Sequence, residues 1–263
     1  MTKAWSIYTV FSVLLVGGAY VNYKLNPVPE RSTINIAAGH SVGPAPDFSA
    51  ITDTQEKKSA FFNYLKPGIE YENSLILQQR EKIEAIRKHI SAGKLSKMET
   101  QYLEKLAKTY QVKLDSTEEF SAKWVDRLLE KIDVLPVSLV LIQAANESGW
   151  GASRFARDGN NYFGQWCYQE GCGLVPLSRT AGMTHEVAKF SSVQQSISNY
   201  FLNVNRNNAY KELRKIRAER RRSNLDMLSE DAAIELTNGL LNYSERGQSY
   251  IDDLQAMLRN EKV

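Results

Sequence analysis

The feature that most constrains the fold is a nine-residue, largely apolar run in the second half of the chain. Residues 137–145 read Val-Ser-Leu-Val-Leu-Ile-Gln-Ala-Ala, and Pro136 stands directly before them, where proline suits the first position of a helix. A helix with apolar side chains on nearly every side must lie deep in a core. Glu147 follows at its end. The pattern predicts a mainly helical domain with one carboxyl group at the rim of its core.

The N-terminus is typical of an exported protein. Residues 4–23 are twenty consecutive uncharged residues between Lys3 and Lys24. A helix of that length spans about 30 Å, the thickness of the hydrocarbon layer of a membrane. We interpret residues 1–24 as an uncleaved membrane anchor, with a cleaved signal peptide as the alternative, because Gly17-Gly18-Ala19 supplies small residues. Both interpretations place the rest of the chain on the periplasmic side of the inner membrane.

Three further parts follow along the chain. Residues 25–55 contain four prolines and no lasting apolar period, which predicts a flexible linker. Residues 56–115 have apolar residues at helical spacing, which predicts a helical region that packs onto the next domain or binds a protein partner. Ser116 with Glu119 three positions later is a capping-box pattern, so the main domain is predicted to occupy residues 116–263. Glycines interspersed with aromatic residues between 149 and 173 predict loops and a small β lobe.

The chain has two cysteines, Cys167 and Cys172, separated by four residues. In an oxidising compartment this spacing favours a disulfide across a tight hairpin, with two free thiols as the alternative. A zinc site is disfavoured because no pair of histidines accompanies the cysteines. We expect neither a metal nor another cofactor.

Glu147 is the candidate catalytic residue. A carboxyl group beside Trp150 at the edge of an apolar core loses hydration of its charged form, which raises its pKa. A raised pKa lets a carboxylic acid keep a proton near neutral pH, as the general acid of a glycosidase must. A helix-end carboxylate on the surface, with no catalytic task, is the alternative.

The residues around Glu147 resemble a known signature. Residues 143–153 read Gln-Ala-Ala-Asn-Glu-Ser-Gly-Trp-Gly-Ala-Ser, and residues 160–164 read Asn-Asn-Tyr-Phe-Gly. Both stretches resemble the bacterial glucosaminidase family, which includes autolysin glucosaminidases and the hydrolase domain of the flagellar rod-assembly protein. The resemblance implies a lysozyme-like fold and an endo-β-N-acetylglucosaminidase that hydrolyses the β-1,4 bond after N-acetylglucosamine in peptidoglycan glycan strands. The family's catalytic glutamate falls on Glu147.

The same resemblance assigns two further catalytic positions. Glycoside hydrolases usually use two carboxylates. The family's second acid, where assigned, lies in the β lobe, and Glu186 matches it better than Glu170; both could be ordinary surface carboxylates. The cysteine hairpin departs from the commoner family pattern in this lobe. The stretch 243–250 resembles the family's C-terminal element, whose first tyrosine points into the active site, so that role is carried to Tyr243.

Flat aromatic rings stack on the apolar faces of sugars, and polar groups bind the hydroxyls. The expected substrate-binding residues lie next to Glu147 or in the Asn-x-Phe-Gly element and the strand after it: Trp150, Asn161, Tyr162, Phe163 and Trp166. For each ring, packing in the core is the alternative.

Two other functions compete with this hypothesis. A lytic transglycosylase shares the lysozyme-like core but forms anhydro products without water, and a non-catalytic envelope scaffold would only bind glycan. Residues 206–222 hold eight basic residues against two acidic ones. This run predicts either a solvated helix face or attraction to anionic envelope polymers. Nucleic-acid binding is not expected of an exported chain.

Overall fold

The computed structural model describes residues 42–114, 120–177, 179 and 184–261. The predicted membrane anchor or signal peptide, residues 1–24, and most of the predicted linker lie outside the described residues. Within the described ranges, no helix has both the length and the apolar character needed to cross a membrane.

The described part contains nine α-helices and three short β-strands, so the prediction of a mainly helical fold with one small β lobe is confirmed. The helices are α1 (Thr54–Ser91), α2 (Lys97–Tyr110), α3 (Ala122–Lys131), α4 (Val137–Ser148), α5 (Arg154–Gly159), α6 (Val193–Arg206), α7 (Lys211–Arg222), α8 (Glu230–Thr237) and α9 (Gln248–Asn260). The strands are β1 (Trp166–Cys167), β2 (Gly173–Leu174) and β3 (Glu186–Ala188).

The first residues of most helices explain where they begin. Small polar side chains at the N-cap accept a hydrogen bond from an amide of the first turn, which otherwise has no partner. The Ser121 side chain accepts from Trp124 N at 3.1 Å, so α3 begins at Ala122. The capping pattern predicted from Ser116 and Glu119 therefore does not open this helix, and those residues lie outside the described ranges. Proline lacks an amide proton, and Pro136 is the N-cap residue of α4.

Helix α4 is the centre of the fold. Its residues from Leu139 to Ala145 are all buried, as the apolar run predicts. Helices α1, α8 and α9 pack around it. This arrangement fixes the end of α4, and with it Glu147, between the N-terminal and C-terminal helices.

Helix α1 belongs to the same core rather than to a separate region. The amide of Asn73 pairs with the backbone of Leu135, donating to the carbonyl at 2.8 Å and accepting from the amide at 3.0 Å. On the other side, Gln194 of α6 donates to Gly68 O at 3.1 Å. The apolar face of α1 is thus covered by its own chain, in agreement with the packing expected of residues 56–115.

The end of the predicted linker is also packed. Phe48 has no exposed surface and lies 5.5 Å from the ring of Phe61, centroid to centroid. The expectation of a flexible linker up to residue 55 is wrong for this stretch. No sequence pattern indicated this packing, because a single buried residue such as Phe48 produces no apolar period.

The basic run is largely structural, and the prediction of a solvated helix face is wrong for half of it. Arg206, Arg214, Arg217 and Arg220 are buried. Arg217 donates to four carbonyl groups between Glu130 and Val134, where α3 ends and no helical amide reaches them. Burial lowers the pKa of Arg217 to about 10, so it remains charged at neutral pH. Arg214 and Arg220 likewise donate to backbone carbonyl groups, those of Val204 and Asn207 and that of Asp226, so these arginines help to hold the core together.

The β lobe is a three-stranded antiparallel sheet in the order β1-β3-β2. Trp166 pairs with Val187, and Gly173 pairs with Ala188. A disulfide joins Cys167 to Cys172 across the connection between β1 and β2, with 6.1 Å between their Cα atoms. The pairing is the one favoured from the cysteine spacing.

Candidate active site

Glu147 lies in the last turn of α4, one residue before the helix ends. Gly149, Trp150 and Gly151 follow with φ angles of +57°, +56° and +76°, so the chain turns sharply after the carboxylate. A Cβ atom placed on Gly164 would lie 3.1 Å from Glu147 Oε2. The Asn-x-Phe-Gly element therefore approaches the carboxyl group through a residue that has no side chain.

The environment of Glu147 favours its protonated form. Burial raises the pKa of its carboxyl group to about 7, and this effect outweighs the opposing hydrogen bonds from Tyr250 and Asn146 and the charge of Arg246. Asn146 Nδ2 lies 3.5 Å from Glu147 Oε1. A carboxyl group with a pKa raised in this way can still hold a proton near neutral pH and donate it.

A chain of buried hydrogen bonds leads to this carboxyl group. Tyr200 donates to Gln143 Oε1 at 2.5 Å, and Gln143 Nε2 donates to the hydroxyl of Tyr250 at 3.0 Å. Tyr250 is in turn hydrogen-bonded to Glu147. Burial raises the pKa of both tyrosines well above the ordinary value, so they stay neutral and can donate. Gln143 is the polar residue that links the core of α4 to the site.

Tyr243, to which the resemblance carries an active-site role, interacts electrostatically with Glu147, and its catalytic role stays a prediction. Its ring stacks on that of Tyr250 with 5.5 Å between centroids and 6° between planes. Burial first, and then the charge of Glu147, raises the pKa of its hydroxyl group. That hydroxyl donates to Phe163 O at 2.9 Å, which ties the C-terminal element to the Asn-x-Phe-Gly turn.

Glu186, the predicted second acid, lies in β3 with its carboxylate turned to the disulfide hairpin. Its two oxygens accept hydrogen bonds from Gly171 N at 3.0 Å and Gly173 N at 2.7 Å. These bonds lower the pKa of Glu186, so it is ionised at neutral pH. The carboxylate holds the hairpin closed, and its catalytic role stays a prediction. Glu170, the other candidate, is exposed within the hairpin.

The hairpin and Glu186 also bring together side chains of types that bind metals, a grouping found among the residues that the structure describes. The sulfurs of Cys167 and Cys172 and a carboxylate oxygen of Glu186 lie within 4.8 Å of one another. The two sulfurs are bonded to each other, so neither is a thiolate that could bind a metal. The Glu186 carboxylate already accepts hydrogen bonds from two backbone amides.

Three of the predicted sugar-binding residues are buried instead. Tyr162 and Phe163 are 1% and 2% exposed, and Phe163 stacks on Tyr200 at 4.2 Å. The amide of Asn161 donates to Gln165 O and Ala188 O, both at 2.8 Å, and accepts from two backbone amides. These side chains have no surface to offer a sugar. Their role is to hold the turn that meets Glu147.

The two tryptophans among the predicted sugar-binding residues, Trp150 and Trp166, keep part of their surface exposed. Trp166 projects from β1 and meets His185 edge to face at 4.8 Å. Trp150 lies next to Glu147 in sequence and packs on α1. Both remain candidates for stacking on a sugar ring.

Sequence reasoning missed several residues around Glu147. Gln143, Tyr200, Tyr210, Tyr250 and Arg246 are the additional ones, identified by their hydrogen bonds or electrostatic effects. A polar Gln143 in an otherwise apolar helix was the available signal, since a buried amide needs partners. The others come from helices or turns remote in sequence.

The fold and the match to a family model place this chain in the glucosaminidase family, a family of glycosidase-type enzymes. Residues 122–262, more than half of the chain, match the family model described as mannosyl-glycoprotein endo-beta-N-acetylglucosaminidase, so the chain belongs to that family and has its lysozyme-like fold. It is also 34% identical over 217 residues to Protein bax of Escherichia coli strain K12, covering 82% of this chain and 74% of that protein. No solved structure matches.

Proposed function

We propose that this protein is a peptidoglycan hydrolase, an endo-β-N-acetylglucosaminidase in which Glu147 is the general acid. The observation that carries the proposal is the partly buried carboxyl group at the end of α4, which the Asn-x-Phe-Gly turn approaches through Gly164 and whose pKa is raised to about 7. The glycan-cleaving family to which the chain belongs supports the same chemistry. The bond cleaved is the β-1,4 linkage after N-acetylglucosamine.

In this mechanism the Glu147 carboxyl group gives its proton to the glycosidic oxygen as the bond from that oxygen to the sugar C1 breaks. The oxygen of a water molecule then bonds to C1, and that water gives one proton to the surrounding water, from which the Glu147 carboxylate regains the proton it donated. The carboxylate left behind is stabilised by Tyr250 and Asn146, whose hydrogen bonds favour its charged form. The site thus combines burial, which keeps the acid protonated, with hydrogen bonds that receive the anion.

We further propose that the enzyme works in the cell envelope, on the periplasmic side of the inner membrane, with residues 1–24 as its anchor. The disulfide supports this location, because such bonds persist in oxidising compartments. Peptidoglycan glycan strands are then the macromolecular partner.

Mass spectrometry of peptidoglycan digested by the purified full-length chain tests the proposal. Fragments with N-acetylglucosamine at the reducing end are the expected products. Anhydro sugars would identify a lytic transglycosylase instead. Binding to peptidoglycan without any cleavage would favour a scaffold.

A further inference from the structure

The turn that follows Glu147 is held in an unfavourable backbone conformation. Three successive residues, 149–151, have left-handed φ angles, and the middle one is Trp150 rather than glycine. A residue with a Cβ atom is destabilised in this region, because the Cβ atom comes too close to a backbone carbonyl oxygen. Such a conformation persists only where surrounding contacts compensate for it.

The compensating contacts on Trp150 come from α1. Its ring lies 5.7 Å from the ring of Phe61 and 5.3 Å from that of Phe62, centroid to centroid. Lys58 Nζ lies 5.1 Å above the same ring. Aromatic and cation–π contacts of this kind are attractive, so they stabilise Trp150 in this conformation.

The other side of the turn is covered by Phe48. A Cβ atom on Gly151 would lie 2.4 Å from Phe48 Cδ2, so ring and backbone are in direct contact. Phe48 is itself fully buried against Phe61 and Tyr64, at 5.5 and 5.8 Å between centroids. The turn is therefore enclosed between Phe48 on one side and Phe61 and Phe62 on the other.

The 149–151 turn also ends helix α4, which carries Glu147. Gly149 N and Trp150 N both donate to Ala145 O, and Gly151 N donates to Ser148 Oγ at 2.8 Å. If the turn opened, these bonds would be lost and the last turn of α4 would fray. Water would then reach the carboxyl group whose burial defines the site.

We propose that Phe48 and Phe61 are positioning residues for Glu147, acting through the 149–151 turn. The segment 42–91, which precedes the family-matched residues 122–262, is then part of the catalytic unit. The similarity to Protein bax agrees with this role: it spans 217 residues, more than the 142 from residue 122 to the end, so it extends into this segment. The catalytic consequence rests on the proposed function; the positioning itself does not.

The direct test is the pKa of Glu147, measured by carboxyl ¹³C NMR on the full-length chain labelled in glutamate. The resonance absent from Glu147→Gln assigns the signal. In Phe61→Ala and in Phe48→Ala the pKa is expected to fall by about one unit, because solvent reaches the carboxyl group. In Phe61→Leu, which keeps most of the bulk, it is expected to stay close to the wild-type value.

Ile83→Ala is the matched control. Ile83 is fully buried near the other end of α1, so its loss lowers stability without touching the turn. Its Glu147 pKa is expected to be unchanged. An unchanged pKa in folded Phe61→Ala and Phe48→Ala, or an equal fall in Ile83→Ala, would overturn the proposal. If Phe61→Ala does not fold, Phe48→Ala decides it, since Phe48 lies outside every helix that the structure describes.

This measurement needs no turnover, so it is separate from the proposed activity. A wild type that cleaves no glycan would refute the proposed function and leave the NMR result valid. Where the enzyme is active, the alkaline limb of kcat/KM against pH is expected to move down by the same amount in the two alanine variants. A change in rate alone, at constant limb position, would contradict the positioning role.

Discussion

The hydroxyl group of Tyr250 joins Glu147 to the interior of the protein, accepting a hydrogen bond from Gln143 at 3.0 Å and bonding to the Glu147 carboxyl group. Because this bond favours the charged carboxylate, its loss raises the pKa of Glu147 further. The tyrosine therefore tunes the acid as well as supporting it.

Tyr250→Phe removes that hydroxyl while keeping the stacked ring. We expect the alkaline limb of the pH–rate profile to shift upward and the maximal rate to fall about tenfold, since the anion left after proton transfer loses a donor. Tyr210→Phe is the control, because the Tyr210 hydroxyl bonds to Asn203 rather than to Glu147. A downward shift of the limb in Tyr250→Phe would contradict this assignment.

Burial of Glu147 also makes the stability of the protein depend on pH. Its pKa is raised in the folded state, so the folded chain binds the proton more tightly than the unfolded chain does. The wild type should therefore lose stability as the pH rises from the unfolded value toward and through about 7, by up to about 3 kcal/mol. Glu147→Gln has no such proton to lose and should be the more stable form at alkaline pH.

Urea unfolding at pH 5 and at pH 8.5 measures this effect. The free energy of unfolding of Glu147→Gln, minus that of the wild type, should increase between the two pH values. If the difference stays constant, the carboxyl group does not have a raised pKa in the folded protein.

Much of this architecture follows from local sequence pattern. The uninterrupted apolar run at 137–145 predicts the buried helix α4. The recurrence of apolar residues every three or four positions in residues 56–115 predicts α1 and α2. Glu147 could be singled out because it stands at the end of the apolar run at 137–145 and because the residues around it, 143–153, resemble the family signature. The disulfide could likewise be predicted from local sequence, because Cys167 and Cys172 are close enough in sequence for one tight hairpin to bring them together.

What could not be predicted depends on contacts between remote positions. Tyr200 bonds to Gln143 across 57 positions and Tyr250 bonds to it across 107, so no local period reveals them. The carbonyl groups that bind Arg217 lie more than 80 positions away, and the run therefore resembles a solvated face. Phe48 was missed because its partners lie on α1 and in the 149–151 turn, both remote from it in sequence.

Glu186 provides a test of the second-acid prediction. Its bonds to Gly171 N and Gly173 N give it a structural task, so Glu186→Gln, which keeps one acceptor oxygen, should lose less than about tenfold in kcat/KM. Hydrogen exchange at the two glycine amides should be faster in Glu186→Ala than in Glu186→Gln. A loss of about 10²–10⁴-fold in Glu186→Gln, with the hairpin intact, would instead establish a catalytic carboxylate.

The most direct test of the central claim is kcat/KM on purified peptidoglycan for the wild type and Glu147→Gln, with Asn146→Ala as a matched neighbour. Glutamine fills the same space but has no proton to donate, so a loss of about 10²–10⁴-fold is expected with the fold unchanged. Asn146→Ala removes one weak 3.5 Å donor to the carboxylate but leaves the proton of Glu147 in place, so it should lose far less activity than Glu147→Gln. Full activity in Glu147→Gln would show that another residue supplies the proton and would contradict the account.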